Sequence, residues 1–334
     1  MANLTHEWTS WCIVGILVIV VVCAAFVRGR RSIERFGDVG EERMLIVQAE
    51  WGMCNRLRSY NVAYEIAMKT GRNLVMINDS TNYEKFWNGD WTKLFHAPRN
   101  SRFESIQFLK NLGDAPVEIG VPEDDCGVSV TMAELEAASD QRYLLLRTCE
   151  VLIDDMKIEN RFYKAMKPTQ MVLDNIALTL TFIRHEGCVG VHIRQGNIPD
   201  YEQGYFFGEW AKDHGEQTPI MCCFDDGAKN VSPCPKAAPG VERFVEAMKK
   251  EPKHTKFFVC SDRPGCMLYL ETMFPKRVFY TSSKIEYDTN FVRGFCDWYC
   301  LAHCKKLLLS APSSFSIEAA KLNDVPCEYI DVDE

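Results

Sequence analysis

The chain lacks an excess of basic charge. Its 334 residues carry 38 Lys and Arg against 46 Asp and Glu, a formal net charge of -8. Non-specific nucleic-acid binding needs basic charge to neutralise phosphate, so that class is excluded. Internal repeats and low-complexity tracts are also missing, and with 47% hydrophobic and 25% charged residues the composition is that of a globular protein. Disorder and collagen-like structure are therefore excluded. No G-x-x-x-x-G-K-[ST] loop occurs, which excludes a P-loop ATPase. Only one long apolar run is present, which excludes a multi-span membrane protein. The length suits about two domains.

The apolar run is residues 11–27, WCIVGILVIVVVCAAFV, without a charged residue. At helical rise it covers about 25 Å, the short end of a bilayer span. Trp8 and Trp11 sit at its start, where interfacial aromatics anchor. We read it as a single-pass anchor after a tail of residues 1–10. A cleaved signal peptide is the alternative, but it wants basic residues in front, and no Lys or Arg precedes Arg28. Arg28, Arg30, Arg31 and Arg35 follow the span, so the positive-inside rule puts the large C-terminal part in the cytoplasm. The 15 Cys suit either a lumenal ER or Golgi domain with disulfides or a cytosolic one with buried thiols. The sequons at Asn78 and Asn230 are short patterns expected by chance.

Residues 28–43 are polar and read as a stem. From Met44 the chain alternates strand and helix signals. Strands are expected at residues 44–48, 74–77, 144–146, 189–193, 256–260, 278–280 and 306–309. Helices are expected at 55–70, with Gly71 as C-cap, and at 169–182, 241–250, 266–273, 288–304 and 314–322. The economical reading is two Rossmann-like α/β lobes, 44–187 and 188–334, joined near Glu186-Gly187. Residues 80–140 are harder to parse, and residues 214–240 form a long Pro-, Gly- and Cys-rich loop.

Four strand-to-helix turns carry polar groups, and α/β sheets bind ligands at the carboxyl ends of strands. Glu50 to Leu57 places Gly52 where a ligand could approach the backbone, and Asn55 and Arg56 on the first helical turn, where free N–H groups favour anions. The plain alternative is a βα turn with an Asn cap. In Gly190 to Asn197, strand alternation puts His192 and Arg194 on one face at a strand end, and the guanidinium fork suits a phosphate. A third strand ends at Ser261-Asp262. A fourth turn, Ser310 to Ser316, sets Ser313 and Ser314 at a helix start, suited to capping or to a phosphate oxygen.

These segments resemble the fucosyltransferase superfamily, which holds α-1,2-, α-1,6- and protein O-fucosyltransferases. The resemblance rests on Gly52 to Leu57, on His192-Ile193-Arg194-Gln195-Gly196 and on Ser310 to Ala320. Gly196 to Tyr201 through Gly204 to Phe207 is closest to the α-1,2 type. It covers roughly residues 44–330 and implies a GT-B fold, with an acceptor-side lobe, a donor-side lobe and GDP-fucose bound in the cleft. It implies that Arg194 neutralises the β-phosphate and that His192 lies by the guanine or ribose. Asp297 would contact guanine, Asp262 would line the nucleotide pocket, and Ser313, Ser314 and Phe315 would form the phosphate-contacting turn. The implied enzyme is an inverting, membrane-anchored glycosyltransferase acting on a glycan acceptor, with no metal or other cofactor. The chain departs from the family pattern at Asn197, where relatives carry Asp. A neutral amide cannot be a general base, so that role is empty or passes to Asp200 or Glu202.

Other signals fit no such scheme. Cys296, Cys300 and Cys304 recur at helical spacing that suits no zinc pattern, and we read them as buried thiols. The pairs Asp124-Asp125, Asp154-Asp155 and Asp225-Asp226 read as acidic loops. The aromatics from Phe86 to Phe95, with Trp87 and Trp91, suit sugar stacking and core packing equally.

Overall fold

The computed structural model describes residues 42–50, 52–78, 89–123, 127–148, 150–194, 241–261, 264–281, 290–310 and 313–330. All of these but Glu42 belong to one compact unit, Arg43–Glu334. The anchor segment 11–27, most of the stem and the long loop 214–240 lie outside the described residues, as do Asn197, Asp200, Glu202 and Asp262. Among the described residues no helix is long and apolar enough to cross a membrane.

The first half is built on a five-stranded parallel sheet. Its strands are β1 (Met44–Ala49), β2 (Asn73–Ile77), β3 (Ser101–Glu104), β4 (Val117–Glu118) and β5 (Tyr143–Thr148), in the spatial order β3-β2-β1-β5-β4. Helix α1 (Met53–Thr70) connects β1 to β2 and ends on Gly71 at φ 65, a left-handed backbone that glycine adopts without cost. β1 is apolar except for Gln48 and buried on both faces, as a central parallel strand must be.

Helix α2 (Gln170–Glu186) leads into the second half, with Thr169 capping its start and Gly187 its end. The second sheet is also parallel: β6 (Val189–Ile193), β7 (Phe257–Ser261), β8 (Val278–Phe279), β9 (Lys306–Ser310) and β10 (Cys327–Ile330), in the order β8-β7-β6-β9-β10. Helices α3 (Val241–Lys250), α4 (Pro264–Met273), α5 (Asn290–Leu301) and α6 (Ser314–Asn323) complete it. In this order the chain reverses direction across the sheet between β6 and β9, and ligands bind doubly wound sheets at such a switch point.

Strand alternation divides the core. Val189, Val191, Phe257, Val259 and Leu308 face α3 and α4 in one cluster. Phe258, Cys260, Leu307 and Leu309 point the other way and join a cluster that also holds Leu45, Val47 and Leu57 of the first half. One apolar core thus runs between the inner faces of both sheets, through α1, α2, α5 and α6. Trp91 settles into it: it is 0% exposed, edge-on to Phe291 at 4.9 Å, beside Tyr60 and Phe95. Trp91 and Phe95 therefore pack the core rather than meet a sugar, while Phe86 and Trp87 lie outside the described residues.

Two expectations are corrected. The helix expected over 288–304 stops at Leu301, because the chain tightens into turns (His303 N–H to Cys300 O, Cys304 N–H to Leu301 O) before Lys305 bonds to Cys188 and enters β9. Edge strands β3, β4 and β10 were not foreseen. Their sequences SRFE, VE and CEYI carry no apolar run, since one side of each faces solvent.

Candidate functional site

The carboxyl end of β6 is stitched to β9 by one hydroxyl. Arg194 N–H donates to Ser310 Oγ at 3.0 Å, and Ser310 Oγ donates to His192 O at 3.4 Å. His192 is 5% exposed, its ring stacked on Phe315 at 4.8 Å and its Nδ1 3.2 Å from Ser316 Oγ. Ser316 Oγ in turn donates to Ser313 O at 3.4 Å. With that proton committed, the network assigns hydrogen to Nδ1 and leaves Nε2 as an acceptor. Burial, reinforced by Arg194, pushes the His192 pKa down to about 3, so the ring is neutral at physiological pH.

Arg194 stands half-buried at the same edge and supplies positive charge there. The start of α6 lies beside it. Ser313 precedes that helix, is 2% exposed, and its hydroxyl meets no partner among the described residues. It does not cap the helix, and no acid sits in the first turn. The helices beginning after Thr131 and Thr169, by contrast, are capped by their side chains. A helix start with free N–H groups and an orphaned hydroxyl next to an arginine is built to receive an anion.

The first half contributes a second uncapped start. Gly52 precedes α1 with no side-chain cap and no first-turn acid. A Cβ placed on Gly52 would meet nothing within 4 Å, so the packing does not demand glycine and the turn faces open space. Asn55 is half-buried and accepts from Arg58 at 3.5 Å, while Arg58 is paired with Glu150 at 2.8 Å. Arg56 points inward: it is 0% exposed, with Tyr60 and Glu50 acting on its charge. α1 packs against α6 in the core, and burial, with Glu318 adding to it, raises the pKa of the Cys54 thiol on the first turn of α1.

Asp297 lies on α5, its carboxyl hydrogen-bonded by Thr281 Oγ1 after β8. Burial raises its pKa to about 6, against the lowering effect of Thr281 and Arg293. Its main-chain oxygen accepts from Cys260 Sγ, at the end of β7. Asp297 thus belongs to the same carboxyl edge of the second sheet as His192, one strand further out.

His192, Arg194, Ser313, Ser314 and Phe315 are therefore brought together, with Asp297 along the same edge and the Gly52 turn across from them. Ser310, Ser316 and Thr281 were missed as site residues. Ser310 and Ser316 had been seen as part of the small polar turn, but nothing in the sequence marked Thr281. Cys260, Cys296, Cys300 and Cys304 are buried free thiols, and burial raises all four pKa values, which makes them inert packing groups. The side chain of Asn78 is taken up by Asp90 and by Trp91 N–H. Asp155 accepts from Met132 N–H at 2.8 Å, a loop contact.

No family model matches the sequence, and no curated protein matches it. Solved structures do. The fucosyltransferase NodZ from Bradyrhizobium is similar over 87% of this chain and 96% of its own, with 18% identity and a TM-score of 0.54. POFUT1 in complex with GDP-fucose is similar over 89% of this chain and 99% of its own, with 11% identity and a TM-score of 0.56. A mutant of Arabidopsis thaliana FUT1 in complex with GDP covers 89% of this chain and 72% of its own, with 12% identity and a TM-score of 0.51. At these identities the likeness is one of architecture, and the chain has the fold of these fucosyltransferases, a mixed α/β fold with parallel sheets of the GT-B kind.

Proposed function

We propose that the protein is a glycosyltransferase that moves fucose from GDP-fucose to a hydroxyl of a glycan. The observation that carries this reading is the orphaned Ser313 hydroxyl at the uncapped start of α6, beside Arg194 and a neutral His192 at the switch point of the second sheet. The nucleotide-bound neighbours of the same fold support the donor: NodZ soaked with GDP-fucose and POFUT1 in complex with GDP.

In this reading an acceptor hydroxyl attacks the anomeric carbon from the face opposite the leaving group, and configuration inverts. The bond from that carbon to the β-phosphate oxygen breaks, and negative charge gathers on GDP. Arg194, the start of α6 and the Gly52 turn stabilise that charge without reorganisation. Asp297 and Asp262 would hold the base, with the His192 Nε2 acceptor beside it. Asp200 or Glu202 would take the acceptor proton, since Asn197 cannot. The donors already present allow the reaction to run without metal, so activity should persist in EDTA.

The apolar segment 11–27 would tether the enzyme as a single-pass membrane protein. The Arg that follow it favour a cytoplasmic active site, and the eight described cysteines, all free, agree with a reducing compartment. Protection of the full chain from added protease in sealed vesicles would place it in a lumen instead.

The deciding experiment is calorimetry of the full chain with GDP, followed by a screen of GDP-fucose, GDP-mannose and UDP-sugars for released nucleotide. Binding and turnover of GDP-fucose are expected. Binding without turnover would make the protein a non-catalytic nucleotide-sugar module, and no GDP binding would sink the proposal.

A further inference from the structure

Glu318 is an acidic side chain in an unexpected place. It lies on α6, one turn after Ser314, and is 0% exposed. Both carboxylate oxygens are taken: Tyr163 donates its hydroxyl to Oε2 at 2.6 Å, and Lys321 Nζ donates to Oε1 at 2.8 Å. Tyr163 belongs to the first half, on the short helix Arg161–Ala165, and is 1% exposed. Burying a charge costs free energy, and an apolar side chain of similar volume often serves a core equally well. Folding of α6 therefore gives no reason for a carboxylate here.

What the pair does is connect. The other polar ties of α6 run to the second half: Ser316 to His192, and Ala302 O accepting from Asn323. Toward the first half, the remaining described tie is Lys164 with Asp324, an exposed pair at 4.0 Å. Such pairs contribute little. α1 packs against α6 in one core, where the Cys54 thiol in the first turn of α1 is buried together with Ala319 and Ala320 of α6. The Tyr163–Glu318 bond thus joins α6 to the Arg161–Ala165 helix, and α1 holds the start of that helix: Asn61 Nδ2 donates to Asn160 Oδ1 at 2.9 Å, and Arg161 N–H donates to Glu65 Oε1 at 2.9 Å.

We propose that Tyr163 and Glu318 are positioning residues, which hold the Gly52 turn of α1 against the start of α6 so that a nucleoside diphosphate bound at α6 is felt at α1. This rests on the nucleotide reading of the site above. Most groups that would hold the nucleotide, His192, Arg194, Asp262, Asp297, Ser313 and Ser314, lie in the second half, and the first half adds the Gly52 turn, which acts on the charge that gathers on the departing diphosphate. Breaking the Tyr163–Glu318 bond should therefore spare affinity and lose the coupling.

The test is hydrogen exchange of the amides at residues 52–56 in the full chain, with and without GDP, beside calorimetry. In the unaltered protein GDP should slow their exchange at least about fivefold. Tyr163→Phe should remove that protection while the GDP Kd changes less than about threefold. Glu318→Gln keeps an acceptor for the Tyr163 hydroxyl and should restore most of it. Tyr163→Phe leaves the Glu318 carboxyl without that donor, which weakens the fold, so the double variant Tyr163→Phe/Glu318→Leu, which removes the carboxyl as well, gives a second measurement and should also lack protection. Protection that survives in Tyr163→Phe or in the double variant overturns the proposal. GDP binding without protection in the unaltered protein overturns it too, and leaves the nucleotide reading intact. No GDP binding at all overturns both.

Discussion

Replacing Ser313 with Ala should move stability and binding in opposite directions. A serine before a helix usually caps it, and its loss then costs about 0.5–2 kcal/mol. Here the residue is 2% exposed and its hydroxyl bonds to no group among the described residues. Removing a buried, unsatisfied polar group relieves a desolvation cost of about 1–3 kcal/mol, so the empty protein should be as stable as before or more so. If the hydroxyl is kept bare for a phosphate oxygen, the variant loses a hydrogen bond to a charged acceptor, worth about 1.5–3 kcal/mol. At about 1.4 kcal/mol per tenfold, GDP affinity should fall by roughly ten- to a hundredfold. Thermal melting without ligand and calorimetry with GDP measure the two terms separately. A variant that melts more than about 1 kcal/mol less stably, yet binds GDP with unchanged affinity, would show the hydroxyl to be an ordinary cap and remove the main support for the phosphate site.

Arg194→Ala should abolish transfer and leave the melting temperature nearly unchanged, because Ser310 is held by the main chain of Arg194 and not by its side chain; near-normal turnover contradicts the role assigned to the guanidinium. Acid should act on His192 and Asp297 with opposite signs. The His192 pKa is depressed to about 3, so stability is lost as pH falls below 6.5, whereas the Asp297 pKa is raised to about 6, so stability is gained as pH falls from 6 toward 3.8. Asp297→Asn removes the gain and should lose about 2 kcal/mol more than the unaltered protein between pH 7 and about pH 4 in denaturant titrations; equal losses would contradict the buried carboxyl. A thiol reagent should label exposed Cys327 in the native protein and reach Cys260, Cys296, Cys300 and Cys304 only after unfolding, read by mass spectrometry; fast native labelling of those four would mean that the core opens.

The sequence exposed the elements through periodicity and the turns through their polar residues. β1, β6, β7 and β9 are apolar runs closed by turn residues, so strand and following turn were both legible. Arg194, His192 and Ser313 sit at those ends and were found for that reason. Edge strands such as β3 lacked the apolar signal because solvent covers one side. Tyr163 and Glu318 were invisible for a different reason: an acid four residues into an amphipathic helix looks solvated, and only the packing of α6 against the first half makes it buried. Arg56 is the converse case. Its place on the first turn of α1 suggests an anion site, but helical geometry turns its side chain inward, toward Tyr60.

A chain with a net charge of -8 repels a diphosphate at long range, and that repulsion must be overcome locally. The site uses mostly uncharged donors for this. Two helix starts without side-chain caps present main-chain N–H groups, Ser313 presents a hydroxyl, and Arg194, the cation placed at the switch point among the described residues, is backed by a histidine that burial keeps neutral. Uncharged donors act only at hydrogen-bonding distance, so in the proposed reaction stabilisation of the departing diphosphate depends on how accurately the starts of α1 and α6 are set. A buried carboxylate that ties α6 to the Arg161–Ala165 helix, and through it to α1, then has a purpose. It carries a desolvation cost in the core and, in return, fixes the spacing on which a short-range anion site depends.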